Sequence, residues 1–159
     1  MTTTNGAFAL RTVEDLLKKL KHDMKRLEAS PTDSYAAFDF FITAFHMQEW
    51  PDNRGSRVRS KYSHEKVLMD VCAHLANGSK HFSVGSNESI KGTEHVDGGF
   101  DSSLFQADSF QVERLLVHLK GKAAQLLGEI VEATALGRKV LEYWEAKVMP
   151  PNRCHSSGG

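Results

Sequence analysis

Between Pro31 and Pro51 the chain carries YAAFDFFITAFHMQEW, with Phe38, Phe40, Phe41 and Phe45 crowded into one short run. Proline has no N–H and clashes with the preceding turn, so a helix here is bracketed at both ends. The spacing predicts a helix over 33–50, with Phe38, Phe41 and Phe45 in one stripe and Phe40 and Ile42 widening it. A helix this broadly apolar leaves little room for a solvated face, which makes it the expected centre of the fold.

The flanking segments supply helices to surround it. In TVEDLLKKLKHDMKRLEASP, Thr12 and Asp15 have the spacing of a capping box, and Val13, Leu16, Leu17, Leu20, Met24 and Leu27 recur at helical period. A third helix is expected from about Arg57 to Asn77, burying Val67, Leu68, Val71, Cys72 and Leu75, with Asn77-Gly78 as a left-handed stop. Residues 83–111 change character, because glycines alternate with serines and acids. A tract of this length suggests short strands, expected around His81–Val84 and near Ile90, with DGGFD as a turn. In QVERLLVHL, Leu115, Val117 and Leu119 alternate as a strand would, and KGK suits a hairpin turn. The AAQLL segment fits either a second strand or the start of the last helix, and Gly128 marks a break. The last helix is expected over 130–148, ended by Pro150 and Pro151.

These elements specify an α+β domain, predominantly helical. The expected form is a four-helix bundle-like domain with a small antiparallel β insertion before the last helix. Its bounds are 12–149, with the insertion around 81–127, a flexible N-terminus at 1–11 and a flexible tail at 150–159. The 159 residues, 40% hydrophobic and 25% charged, suit one globular core rather than disorder.

Charge and cysteine usage narrow the functional classes. Twenty basic residues balance twenty acidic ones, so no global field steers the chain to nucleic acid or an anionic membrane. A phosphate-bearing ligand or RNA must then be recognised by a local patch. Two cysteines make no disulfide framework and fit a reducing compartment. The opening MTTTNGAFALRT lacks the pattern of a signal peptide, and no run is long enough to span a bilayer, so a cytoplasmic location is expected.

Two stretches carry chemistry. In DVCAHLANGSKHF, Asp70, His74 and Asn77 lie at i, i+4 and i+7 on one helical stripe. Asp70 can orient His74 as a general base would require, with Asn77, Lys80 and His81 completing a site past the helix end. Equally, a protonated His74 beside Asp70 is a stabilising helix-end pair, with Asn77 as cap and Lys80 and His81 near the terminal carbonyls. The second stretch is RGSRVRSK, where Arg54, Arg57, Arg59 and Lys61 stand with no acid among them. They fall where the third helix should begin, at the end of the dipole that favours anions. A phosphate group or a nucleic-acid backbone would compensate this crowding of positive charge, and so would carboxylates from the acidic 88–108 tract.

Two resemblances accompany these residues. ANGSKHF at 76–82, with FHMQEW at 45–50 and VLEYWE at 140–145, resembles a group of small bacterial and phage helical proteins over residues 33–148. That resemblance implies a fold and no activity. Arg59-Ser-Lys-Tyr-Ser-His64 is similar to the R-x4-H motif of helical ribonuclease domains of the HEPN type. It implies a metal-independent ribonuclease with Arg59 and His64 catalytic at a dimer interface, His64 moving the 2′-hydroxyl proton and Arg59 stabilising the developing charge. Ser60 stands where that family usually has a larger polar residue, and Arg57 fits the looser spacing with the same His64.

Other chemistries lack their patterns. His46 and Glu49 could join His74 and His81 around a metal, but there is no HExxH, CxxC or paired ExxH, and no metal or cofactor is expected. No nucleophile elbow or phosphate-cradling glycine loop occurs, and Cys72 reads as buried. The leading expectation is a non-enzymatic, homo-oligomeric interaction module with an anion-accepting face at Arg54, Arg57 and Arg59; the rival is the ribonuclease.

Overall fold

The structure, a computed structural model, describes residues 10–50, 63–78, 89–97, 99–100, 110–111 and 113–149. Helix α1 spans Val13–Ala29 and α2 spans Ser34–His46, followed by a 3-10 turn at Met47–Glu49. Helix α3 spans His64–Gly78, and strand β1 covers Ile90–Val96. Two short strands, β2 at Gly99–Phe100 and β3 at Phe110–Gln111, pair only with each other. Strand β4 at Arg114–Leu119, helix α4 at Gly121–Leu127, strand β5 at Ile130–Glu132 and helix α5 at Ala133–Val148 complete the described chain.

The fold is therefore α+β and mostly helical, with five α-helices and a three-stranded antiparallel sheet among the described residues. The helix starts follow local chemistry. Thr12 Oγ1 accepts from the Asp15 N–H at 3.2 Å while the Asp15 carboxylate accepts from the Thr12 N–H at 3.2 Å, the reciprocal capping box that the spacing predicts. At α2 the Asp33 carboxylate caps the Tyr35 and Ala36 N–H groups.

Helix α2 is central, packed against α1, α3 and α5. Its most deeply buried side is not the predicted stripe: Ala36, Phe40, Ala44 and Met47 are fully buried, while Phe38 is 43% exposed. The helix is covered on two sides, so Phe41 is buried as well, while Phe38 and Tyr35 are left exposed and Phe45 half-buried. Gly137 of α5 explains how closely the helices approach. A Cβ there would lie 2.9 Å from Met24 Sδ of α1 and 3.4 Å from a ring carbon of Phe40.

The sheet has the order β1-β4-β5, with Thr93 opposite Val117, His95 opposite Leu115 and Val117 opposite Val131. Opposed residues in an antiparallel pair share a face, so Thr93, His95, Leu115, Val117 and Leu119 line the same side. Val117 and Leu119 are buried against the helices, as the alternation in β4 predicts. The segment after β4 departs from expectation. KGK is not a hairpin turn, because Lys120 precedes the short helix α4, which buries Ala123. Gly128, at φ +96°, ends α4 where an L-residue with a side chain would be strained. Ile130–Glu132 then form an edge strand rather than the first turn of α5. DGGFD likewise contributes Gly99 and Phe100 to a strand pair. The strand expected at 81–84 lies outside the described residues.

Candidate functional site

The two ends of α3 carry the two regions that the sequence singles out. At its start, Ser63 precedes the helix, and its hydroxyl accepts from the Lys66 N–H at 3.2 Å. Arg54, Arg57, Arg59 and Lys61 lie outside the described residues. His64 is described and exposed on the first turn. It lines a depression of about 400 Å³ between α3 and α5, together with Lys139, Tyr143 and Lys147. Glu65 and Glu142 share its walls, and Leu68 is apolar.

Some lysines are tied to carboxylates: Lys18 to Asp15 at 3.3 Å and Lys21 to Glu145 at 2.7 Å. Among the described residues neither Lys139 nor Lys147 has a carboxylate within ion-pair distance. The Lys147 ammonium instead sits 5.9 Å from the centre of the Tyr143 ring, within cation–π range. Behind it, the Tyr143 hydroxyl is buried and has no hydrogen-bond partner among the described residues. Burial, with the negative Glu65 nearby and then Cys72, pushes that hydroxyl up to about 12, so it remains a neutral donor. An exposed imidazole and two ammonium groups without an ion pair among the described residues can hold an oxyanion, with Glu65 and Glu142 beside them.

Sequence reasoning named His64 but not Lys139, Tyr143 or Lys147. Their spacing of i, i+4 and i+8 puts all three on one stripe of α5, a signal present in KVLEYWEAK. What the sequence did not supply is that this stripe faces the start of α3.

At the other end of α3, the predicted alignment of Asp70 with His74 differs from the observed one. The Asp70 carboxylate accepts from the Lys66 ammonium one turn earlier. A flexible ammonium at i−4 outcompetes the imidazole at i+4, and the glutamate- or aspartate-to-lysine pairing of a helix surface follows. His74 and Asn77 are half-buried, and α3 continues through Gly78. Lys80 and His81 lie outside the described residues.

His74 lines a second and larger cavity, of about 570 Å³, enclosed by α2, the end of α3 and the inner face of β1 and β4. Its apolar walls include Phe38, Phe41, Leu75, Leu115 and Val117. Ser34, His74, Thr93, Glu94 and His95 contribute the polar residues of its lining. The His95 Nδ1 is 3.3 Å from the exposed Asp97 carboxylate.

Remaining site residues have ordinary explanations. His46 Nδ1 pairs with Glu49 Oε2 at 3.0 Å, and its ring stacks obliquely on Phe45. No group of three or more histidine, cysteine or acidic side chains suited to a metal occurs among the described residues. Cys72 is wholly buried and its thiol is pushed far above its ordinary range by that burial, which removes it as a nucleophile.

Comparison with protein-family models, with curated proteins and with solved structures finds no match to this chain.

Proposed function

We propose that this chain is a non-enzymatic interaction module with an anion-accepting face, to which Arg54, Arg57, Arg59 and Lys61 of the sequence and the groups at the start of α3 and the adjoining side of α5 contribute. A bundle-like set of four long helices, α1, α2, α3 and α5, presents this face. The observation that carries the reading is the meeting of His64, Lys139 and Lys147 in one depression directly downstream of four basic residues in the sequence. Those four residues lack any acid among them, and although Glu65 and Glu142 line the same depression, neither lysine is ion-paired among the described residues, so both ammonium groups can donate to an external anion. Phosphate groups match this set, since ammonium, imidazolium and guanidinium all donate to their oxygens. The partner is a phosphate-bearing ligand or RNA. No helix among the described residues is long and apolar enough to cross a membrane.

Binding of a fluorescently labelled single-stranded RNA, followed by polarisation at increasing salt, tests the reading. Lys139→Gln with Lys147→Gln should weaken binding and reduce the slope of log K against log salt by about 1.4, from two contacts at about 0.7 each. Unchanged affinity and slope would remove these lysines from the face.

One observation favours the ribonuclease as a second reading: His64 is exposed and lines a depression, as a proton-transferring histidine requires. In that reading Arg59 and His64 act together in a homodimer. Mixed RNA incubated with the protein in chelator would be cleaved, and His64→Ala would abolish cleavage. The module reading instead expects intact RNA with both proteins and a binding loss in Arg57→Ala with Arg59→Ala.

A further inference from the structure

The larger cavity stands apart from the anion face and has the opposite electrostatic character. Its volume of about 570 Å³ falls within the range of small-molecule sites, and apolar walls with a few convergent polar groups are their usual composition. Three features select the charge of an occupant. The cavity reaches Gly78, the last described residue of α3, and the C-terminal end of a helix dipole stabilises cations. Phe38 and Phe41 bring aromatic rings to its wall, and the faces of such rings attract a cation. No lysine or arginine lines it among the described residues. Ser34 and Thr93 hydroxyls complete a polar set able to accept from an ammonium group.

From this arrangement we infer that the cavity between α2, the C-terminal end of α3 and the inner face of β1–β4 binds a small hydrophobic amine. Its apolar body lies against Phe41, Leu115 and Val117. Its ammonium group is held near the α3 terminus and the Phe38 ring. The site is independent of the phosphate-binding reading, since the two use opposite ends of α3 and opposite ligand charges.

Tryptamine and indole-3-acetate provide the test, because they share a ring system and differ in the sign of charge. Isothermal titration of the full chain should give tighter binding of tryptamine by about tenfold or more, the size expected from one cation–π contact plus one helix-end interaction. Leu115→Trp, which fills the cavity from β4, should abolish binding. Phe38→Ala, at a position already 43% exposed and therefore tolerant of change, should weaken it several-fold while leaving thermal unfolding unaltered. Equal binding of both probes, binding of neither, or tryptamine affinity untouched by Phe38→Ala would each overturn the proposal.

Discussion

Lys18 and Lys19 are adjacent and identical in type, yet the fold uses them differently. Lys18 reaches the Asp15 carboxylate from a side chain 78% exposed, in a pair open to water and salt. Lys19 donates to Asp23, whose side chain is only 3% exposed, and also to Thr43 Oγ1 at 2.8 Å. Thr43 Oγ1 in turn lies 3.1 Å from Asp23 Oδ2 and 2.8 Å from the Asp39 carbonyl oxygen, tying α1 to α2. Lys18→Met is therefore expected to change stability by less than about 0.5 kcal/mol. Lys19→Met should cost about 1–3 kcal/mol, because it strips a donor from a buried carboxylate. Chemical denaturation of the two variants side by side checks this; equal losses would contradict it. Asp23 borders the apolar stripe of the first helix, seven residues after Leu16 and four before Leu27. Thr43 of α2 closes over it, a tertiary contact that the spacing does not name. His74 illustrates the same limit, since its stripe with Asp70 was legible while the competing Lys66 and the cavity beside it were not.

Within the elements some signals are legible and others are not: the α1 cap follows from spacing, while the buried side of α2 and the Lys66–Asp70 pair of α3 do not. The capping box of α1 is encoded in four residues and forms as expected. Thr12→Ala should cost about 1 kcal/mol, the usual loss at an N-cap hydroxyl. Asp15 also gives this helix a pH dependence. Its carboxyl is held below the ordinary carboxylate value, first by the Arg11 N–H, then by Lys18, despite a small opposing effect of burial, and further by Thr12. A depressed folded-state value means stability that is present above the unfolded-state pKa and lost as pH falls through the native value. Asp15→Asn should thus be less stable than the parent at pH 6, with the gap narrowing below about pH 4, near the unfolded carboxylate value. A gap that stays constant to pH 2 would contradict this. Helix α4 and strand β5 escaped sequence reading because seven and three residues are too few for either period to declare itself. Val131 suits a helix or a strand equally well, and only its pairing with Val117 decides.

Gly137 shows packing at the same scale. Gly137→Val should destabilise by about 1–3 kcal/mol, because the branched side chain must enter space held by Met24 and Phe40. Met24→Ala opens that space, so the double variant should be more stable than the sum of the two single losses predicts. Additive losses in thermal unfolding would show that Met24 is not what the added atoms meet.

For the whole molecule, balanced charge removes long-range steering and leaves function to local groups. Helix α3 organises them. Its N-terminal end meets His64, Lys139 and Lys147 and suits an anion, while its C-terminal end opens on an aromatic cavity and suits a cation. The α+β class and the central place of the aromatic helix were legible, because hydrophobic period and prolines fix them locally. The partnership of α3 with α5 was not, because it depends on which stripes of two distant segments meet. Phosphate binding at the start of α3 is the proposal on which the anion face stands. Titration of isotope-labelled protein with a short single-stranded RNA, followed by amide chemical shifts, separates it from its alternatives. Shifts are expected to concentrate at His64, Lys139, Tyr143 and Lys147. Shifts confined to β1, β4 and the end of α3, or none at all with the RNA in excess, would contradict it.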